Sequence, residues 1–186
     1  MNEWDKKREI MHRYDVTAHI YDMRYAEEQK AKFQAAFKNL KMDRLGLVLD
    51  VGCGTGLLFD YVADKAETVI GVDLSKKTML KAKEHAKKFQ YMHLVLADAD
   101  KLPFSENFFN HVFAFTLLQN MPNPCATLKE IVRVAKANAV IVVTGLKNVF
   151  SRESFEELLR DAGLRIAVLE SEDLKCHVAV CAKTVD

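Results

Sequence analysis

No apolar run in this 186-residue chain approaches the roughly 20 residues needed to span a bilayer, so no segment reads as a membrane helix. The charged stretch Asn2-Glu3-Trp4-Asp5-Lys6-Lys7-Arg8-Glu9 lacks the apolar centre of a secretory signal, and a cytoplasmic setting without membrane is expected. Cysteine is scarce. The four residues at 53, 125, 176 and 181 show neither metal-ligand pairing nor a disulfide framework. Cys176 and Cys181 stand five apart on an expected strand and so face opposite sides. Histidines 12, 19, 85, 93, 111 and 177 are scattered, and no metal is expected. With 3 prolines and 7 glycines there is no flexible linker, and no repeat or second domain is indicated. A surplus of one charge sign is also missing: net charge is +1, which by itself points to no partner.

What is present suits a globular unit, with 49% hydrophobic and 28% charged residues and enough length for a substantial core. Charge is unevenly spread. Seven lysines face three acids between Ser75 and Lys101, whereas eight acids face five basic residues from Phe150 onward. Most of these lysines fall on an expected helix, residues 76–89, whose inner face is Met79, Ala82, Ala86 and Phe89. Lys76, Lys77, Lys81, Lys83, Lys87 and Lys88 then form either an ordinary solvated surface or a patch that steers a polyanion.

The most informative segment is Val48-Leu49-Asp50-Val51-Gly52-Cys53-Gly54-Thr55-Gly56, followed by an amphipathic stretch. An apolar run, alternate glycines and a helix start describe a buried parallel strand, a tight turn and a helix. Glycine serves where the backbone takes positive φ or lies against a ligand. Cys53 sits inside this loop, where packing requires a small residue. Twenty-one residues after Gly52, Asp73 ends a second apolar run, placed to accept hydrogen bonds from both hydroxyls of a ribose. An adenosine-type cofactor is the expectation.

The spacing G-x-G-x-G, with Asp50 two residues upstream, resembles motif I of the class I S-adenosylmethionine (SAM) methyltransferases. Three further segments keep register with that family. Asp73-Leu74-Ser75 is similar to its ribose-binding motif. Leu96-Ala97-Asp98-Ala99-Asp100-Lys101-Leu102-Pro103-Phe104 resembles its adenine-side motif. His111 to Pro124 resembles its fourth-strand motif. The matching region runs from about residue 47 to 145. The resemblance implies SAM as cofactor and S-adenosylhomocysteine as product. It further implies contacts from Asp50 to the methionine amino group, from Asp98 and the Ala99 backbone to adenine, and from Gly52, Cys53, Gly54, Gly56, Asp73, Leu74 and Leu117 along the cofactor.

Strands are predicted near 47–51, 68–73, 91–97, 110–118, 138–144, 164–170 and 175–183, and helices near 57–65, 76–89, 124–136 and 151–162. Asn123-Pro124 and Ser151 read as helix starts and Gly163 as a helix end. The alternation predicts an α/β fold with a mainly parallel sheet. Family resemblance supplies the Rossmann-like seven-stranded order 3-2-1-4-5-7-6, with the last strand antiparallel. Residues 1–45 are expected to form a helical lid segment and residues 46–186 the SAM-binding domain. Phe33, Ala36, Phe37 and Leu40 keep helical spacing. The repeated Tyr-Asp at 14 and 21 is similar to segments that fold over the cofactor in small methyltransferases. Tyr14, Tyr21 or Tyr25 then belongs either to a lid or to a helix pinned by its aromatics.

Chemistry is expected beyond the carboxyl ends of the strands. Asn120-Met121-Pro122-Asn123 partly matches the Asn/Asp-Pro-Pro-aromatic segment of enzymes that methylate exocyclic amines, where an amide oxygen accepts the amine's hydrogens. Asn120, Gln119 and Pro122 are therefore the catalytic candidates. In the rival alignment, with quinone-type methyltransferases, Gln119 and Asn120 replace two histidines and no base is left there. His19 is the one histidine suited to act as a base, and Lys147 is placed to meet a phosphate. The leading expectation is methylation of an RNA-base amine, with the N4 of a ribosomal cytosine favoured because the site should be open and the lysines suit RNA. The expected partners are RNA or a ribosomal particle, with room for a small activating protein. The alternatives are a small-molecule or quinone-type methyltransferase and a non-catalytic SAM-binding scaffold.

Overall fold

The computed structural model describes residues 2–40 and 43–184. Met1, Val185 and Asp186 of the expected segments, with Lys41 and Met42, lie outside the described residues. Seven strands make one sheet: β1 (Gly46–Val51), β2 (Ala66–Asp73), β3 (Met92–Leu96), β4 (Phe109–Ala114), β5 (Ala135–Leu146), β6 (Leu164–Glu170) and β7 (Cys176–Lys183). Their order is β3-β2-β1-β4-β5-β7-β6. β3, β2, β1, β4 and β5 run parallel, and β7 is antiparallel to both β5 and β6. This is the class I Rossmann-like topology.

The central strands are apolar on both sides because both faces are covered. Val48 and Leu49 of β1, Val112 and Phe113 of β4 and Ile141 and Val142 of β5 are fully buried. Over one face lie α5 (Pro124–Val134) and α6 (Arg152–Asp161), which contribute Leu128, Ile131, Phe155 and Leu159. Over the other lie α3 (Phe59–Val62), α4 (Lys76–Ala86) and α2 (Tyr21–Phe37), which contribute Phe59, Met79, Phe33 and Ala36. Cys181 joins the first core and Cys176 the second, as strand alternation requires. No helix among the described residues is long and apolar enough to cross a membrane.

Local chemistry sets several boundaries. Asn123 accepts a hydrogen bond from the Ala126 N–H (3.1 Å) ahead of Pro124, and the Ser151 hydroxyl accepts one from the Ser154 N–H (3.1 Å). Several boundaries differ from expectation. The helix expected over 57–65 is the single turn α3, because the glycine turn consumes the residues before Phe59. The fourth strand stops at Ala114 rather than 118. Thr116 takes φ +59°, which ends the extended backbone and leads into a 3₁₀ turn, Leu118–Asn120. α5 ends at Val134, where Ala135 becomes extended and β5 begins at once.

Ahead of β1 come two helices, α1 (Glu3–Thr17) and α2. α2 is seated through Phe33, whose ring lies 4.8 Å from that of Phe115 and 5.1 Å from that of Tyr61. α1 lies across the carboxyl ends of the strands and buries one residue, Lys7.

Candidate active site

The floor of the site is the turn from β1 to α3. The N–H groups of Gly52 and Cys53 both donate to the Val72 carbonyl (2.7 and 2.9 Å), locking the turn onto β2. Gly54 has φ +54°, and a Cβ there would meet nothing within 4 Å, so its backbone borders open space. Gly56 has φ +86° and faces inward instead: a Cβ would overlap the Phe59 ring. Gly56 lines no part of the cleft, and its role is to let α3 pack.

Asp73 closes the turn. Its carboxylate accepts from the Gly54 N–H (2.9 Å) and the Ser75 N–H (2.8 Å). Burial pushes its pKa up, although those N–H groups pull the other way. Asp50 is buried at the end of β1, and burial, with the like charge of Asp73, pushes it up to about 8. A cation arriving there would reverse that balance. Cys53 is buried with its sulfur 3.7 Å from that of Met79, and burial pushes its thiol well above the usual range, so it packs as a neutral group.

Above this floor opens a partly covered cleft of about 100 Å³. Gly52, Gly54, Asp73, Leu74, Asp98, Ala99, Leu117, Asn120 and Tyr21 line it. A smaller adjoining pocket is lined by Asp50, Cys53, Gly54 and Tyr21. The buried acid, the open backbone at Gly54 and the carboxylate of Asp73 together suit a ligand with a cationic amino end and a ribose.

Gln119 and Pro122 line neither space. A 3₁₀ turn repeats every three residues, so Leu117 and Asn120 share the cleft face while Gln119 points away. Asn120 reaches the cleft, but its amide is engaged: Nδ2 donates to the Thr116 carbonyl and the Tyr14 hydroxyl (both 2.9 Å), and Oδ1 accepts from Arg13 (2.7 Å). Asp98 is likewise occupied, since both its oxygens accept from the Lys7 ammonium (2.8 and 2.7 Å), which also reaches Asp100 (2.5 Å). Burial works against the Lys7 charge, yet the two carboxylates outweigh it and hold its pKa above the usual lysine range.

Sequence reasoning expected a lid and its tyrosines but missed the rest of the roof. Lys7, Ile10, Met11 and Tyr14 all line the cleft, one stripe of α1 at helical spacing. The signal existed as i, i+3, i+4, i+7, but its first member is a lysine within a charged run. Thr55, Val72, Ser75, Thr78, Ala97, Phe115, Thr116 and Met121 complete the walls. Of the three suspected lid tyrosines, Tyr14 and Tyr21 line the cleft, whereas Tyr25 is exposed and packs on Tyr21 (ring centroids 5.0 Å apart). His19 is exposed outside the cleft beside α4, and Lys147 donates to the Ser171 carbonyl (2.5 Å) on the surface. Among the described residues no three His, Cys, Asp or Glu side chains are grouped to hold a metal.

The sheet order and a cleft over the carboxyl ends of β1, β2 and β4 define a class I SAM-dependent methyltransferase fold. The methyltransferase-domain family matches residues 49–143, about half of the chain, and this chain belongs to that family, with SAM as its cofactor. It is 30% identical over 142 residues to a malonyl-[acyl-carrier protein] O-methyltransferase of Marinomonas, covering 75% of this chain and 52% of that protein. It is 32% identical over 141 residues to a demethylmenaquinone methyltransferase of Staphylococcus saprophyticus, covering 74% of this chain and 59% of that one. The chain thus spans about half to three fifths of these curated relatives. Among solved structures, a SAM-dependent methyltransferase of Leishmania major superposes with TM-score 0.80 at 12% identity, covering 96% of this chain and 83% of that one. The complex of a Haloferax volcanii methyltransferase with its Trm112 activator gives TM-score 0.77 at 18% identity, covering 92% and 98%. At these identities the likeness is one of fold.

Proposed function

We propose that this chain transfers the methyl group of SAM to a small-molecule acceptor admitted beneath α1 and α2, with residues 1–45 acting as the lid over the domain of 46–186. The observation that carries this reading is the roof. A base carried on a large RNA needs a way in from outside, whereas here Lys7, Ile10, Met11, Tyr14 and Tyr21 cover the cleft. The amide oxygen that would have received an amine's hydrogens is held by Arg13. The matched relatives named for a malonyl thioester and a quinone precursor support a small acceptor, and they lend none to ribosomal cytosine or an RNA partner. A small activating protein stays within the proposal, because the Haloferax neighbour was solved with one. The intact floor weighs against a non-catalytic scaffold.

When bound, SAM supplies a methyl group on an electrophilic sulfonium. Asp73 would orient the ribose hydroxyls and Asp50 the amino group. Burial raises the Tyr14 pKa, so its phenol keeps its proton; accepting from Asn120, it can donate that proton to an acceptor atom. No histidine lines the cleft among the described residues. Alignment and exclusion of water by the roof therefore carry the rate enhancement.

The test is methyl-labelled SAM offered with a demethylated quinol, a malonyl thioester and total RNA. Label in an organic-extractable or thioester product, lost in Asp73→Ala, is expected. Label confined to RNA nucleosides would overturn the proposal.

A further inference from the structure

β3 ends the sheet, and among the described residues no strand pairs with its outer edge. A parallel strand turns alternate residues toward each neighbour. The Tyr91 carbonyl accepts from the Val69 N–H (2.9 Å) and the Ala97 N–H donates to the Asp73 carbonyl (3.1 Å). His93 and Val95 therefore complete the ladder with β2, while Met92, Leu94 and Leu96 present their N–H and C=O groups outward. Sheet edges are commonly blunted by lysine, proline or a bulge. Met92-His93-Leu94-Val95-Leu96 contains none of these.

The surface beside this edge is apolar. Leu80 on α4, Tyr91 and Leu96 are 57%, 58% and 56% exposed, the signature of a surface built to be covered. Phe89, Met92 and Leu94 lie half-buried in the same groove, which Lys76, Lys83 and Lys87 border. Lys76 and Lys83 form no ion pair among the described residues, and Lys87 pairs with Glu84.

We propose that β3 and the groove under α4 dock a second protein, which adds to the sheet an extended strand with apolar side chains toward α4 and acidic residues flanking them. Each part of the surface selects one property of that partner. The outward backbone groups select an extended strand, the apolar groove selects its alternate side chains, and the bordering lysines select acids. A second copy of this chain would bring one lysine row against another. An RNA would meet the lysines but leave Leu80, Leu96 and the backbone edge unused. The surface lies outside the cleft, so the proposal stands whichever acceptor is methylated. It also touches the cleft: β3 leads directly into Asp98 and Ala99, and a docked strand braces that wall.

The test uses the full chain, isotope-labelled, with a blocked peptide of alternating threonine and valine flanked by glutamates, its lysine-flanked counterpart and a short oligoribonucleotide. Saturable binding of the acidic peptide, with amide shifts gathered on Met92–Leu96 and Leu80, is expected to be about tenfold or more tighter than that of the basic one. Leu96→Pro removes one outward N–H that β2 does not use, and Leu80→Ser removes apolar contact away from the sheet. Each should weaken the acidic peptide severalfold while SAM still raises the melting temperature as in the unchanged chain. Equal binding of both peptides, shifts elsewhere, or indifference to both variants would overturn the proposal. So would self-association through this edge that Leu96→Pro abolishes, or oligoribonucleotide protection of the same amides without acidic-peptide binding.

Discussion

The floor and the roof of the cleft are held by different forces. Beneath the ligand space, β1 buries Val48, Leu49 and Val51 completely, and the glycine turn is tied to β2 through backbone groups. Above it, α1 buries only a lysine. Its attachments are polar and reach far along the chain: Lys7 to Asp98, Asp15 to the Ser75 hydroxyl (2.6 Å) at the start of α4, and Arg13 to Asn120. A floor secured by apolar burial opens only with global unfolding. A roof secured by a few ion pairs and hydrogen bonds opens locally, on a smaller free energy and more readily in salt. That division suits a site that must keep its cofactor geometry and still admit an acceptor.

Four changes test this contrast, taken from the largest expected effect downward. Gly56→Ala adds a methyl group at positive φ against the buried Phe59 ring and should cost about 2–4 kcal/mol of global stability, read by urea unfolding. A loss below about 0.5 kcal/mol, the range of an ordinary surface change, would show that the floor tolerates rearrangement. Asp73→Ala should weaken SAM by about 1–3 kcal/mol in calorimetry. Unchanged affinity would remove the ribose from this position. Lys7→Met leaves Asp98 and Asp100 without their shared cation and should cost about 1–2 kcal/mol, confined to α1. Hydrogen exchange should quicken along α1 and stay unchanged in β1 and β4; equal quickening in all three would erase the distinction.

The smallest effect is one of pH. Asp50 is pushed up to about 8 in the folded chain, so without ligand it carries a proton at neutral pH. A cationic amino group favours the ionised form, so SAM should bind more tightly as pH rises toward 8, by about tenfold in all. For folding the sign is opposite. The folded chain retains a proton that the unfolded chain sheds near pH 4, so this group's contribution to stability declines as pH rises from there to about 8. Asp50→Asn should flatten the SAM profile, and a slope that survives would place the titration elsewhere.

Much of the floor was legible because its signals are local. Positive φ calls for glycine at 54 and 56, and apolar runs ending in acids locate Asp50 and Asp73. The fourth strand was drawn too long because Thr116, a residue at home in strands, takes a left-handed turn that its neighbours impose. Gln119 and Pro122 were chosen from a loop motif, and a motif carries no orientation; the 3₁₀ turn and the chain after it leave them outside the cleft. Asp98 was located at the cleft, but its partner Lys7 stands 91 residues away and no spacing rule connects them.

By itself, then, the sequence determined the α/β class, the strand order through family resemblance, and the glycine turn with its two carboxylates. These follow from backbone conformation and from alternation over a few residues. Only the tertiary structure decided that α1 closes the cleft, that Lys7 claims Asp98, that Arg13 claims the Asn120 oxygen, and that β3 is left with an open edge. Those outcomes depend on which charges and edges meet once distant segments fold together, and hydrophobic periodicity carries no record of such meetings.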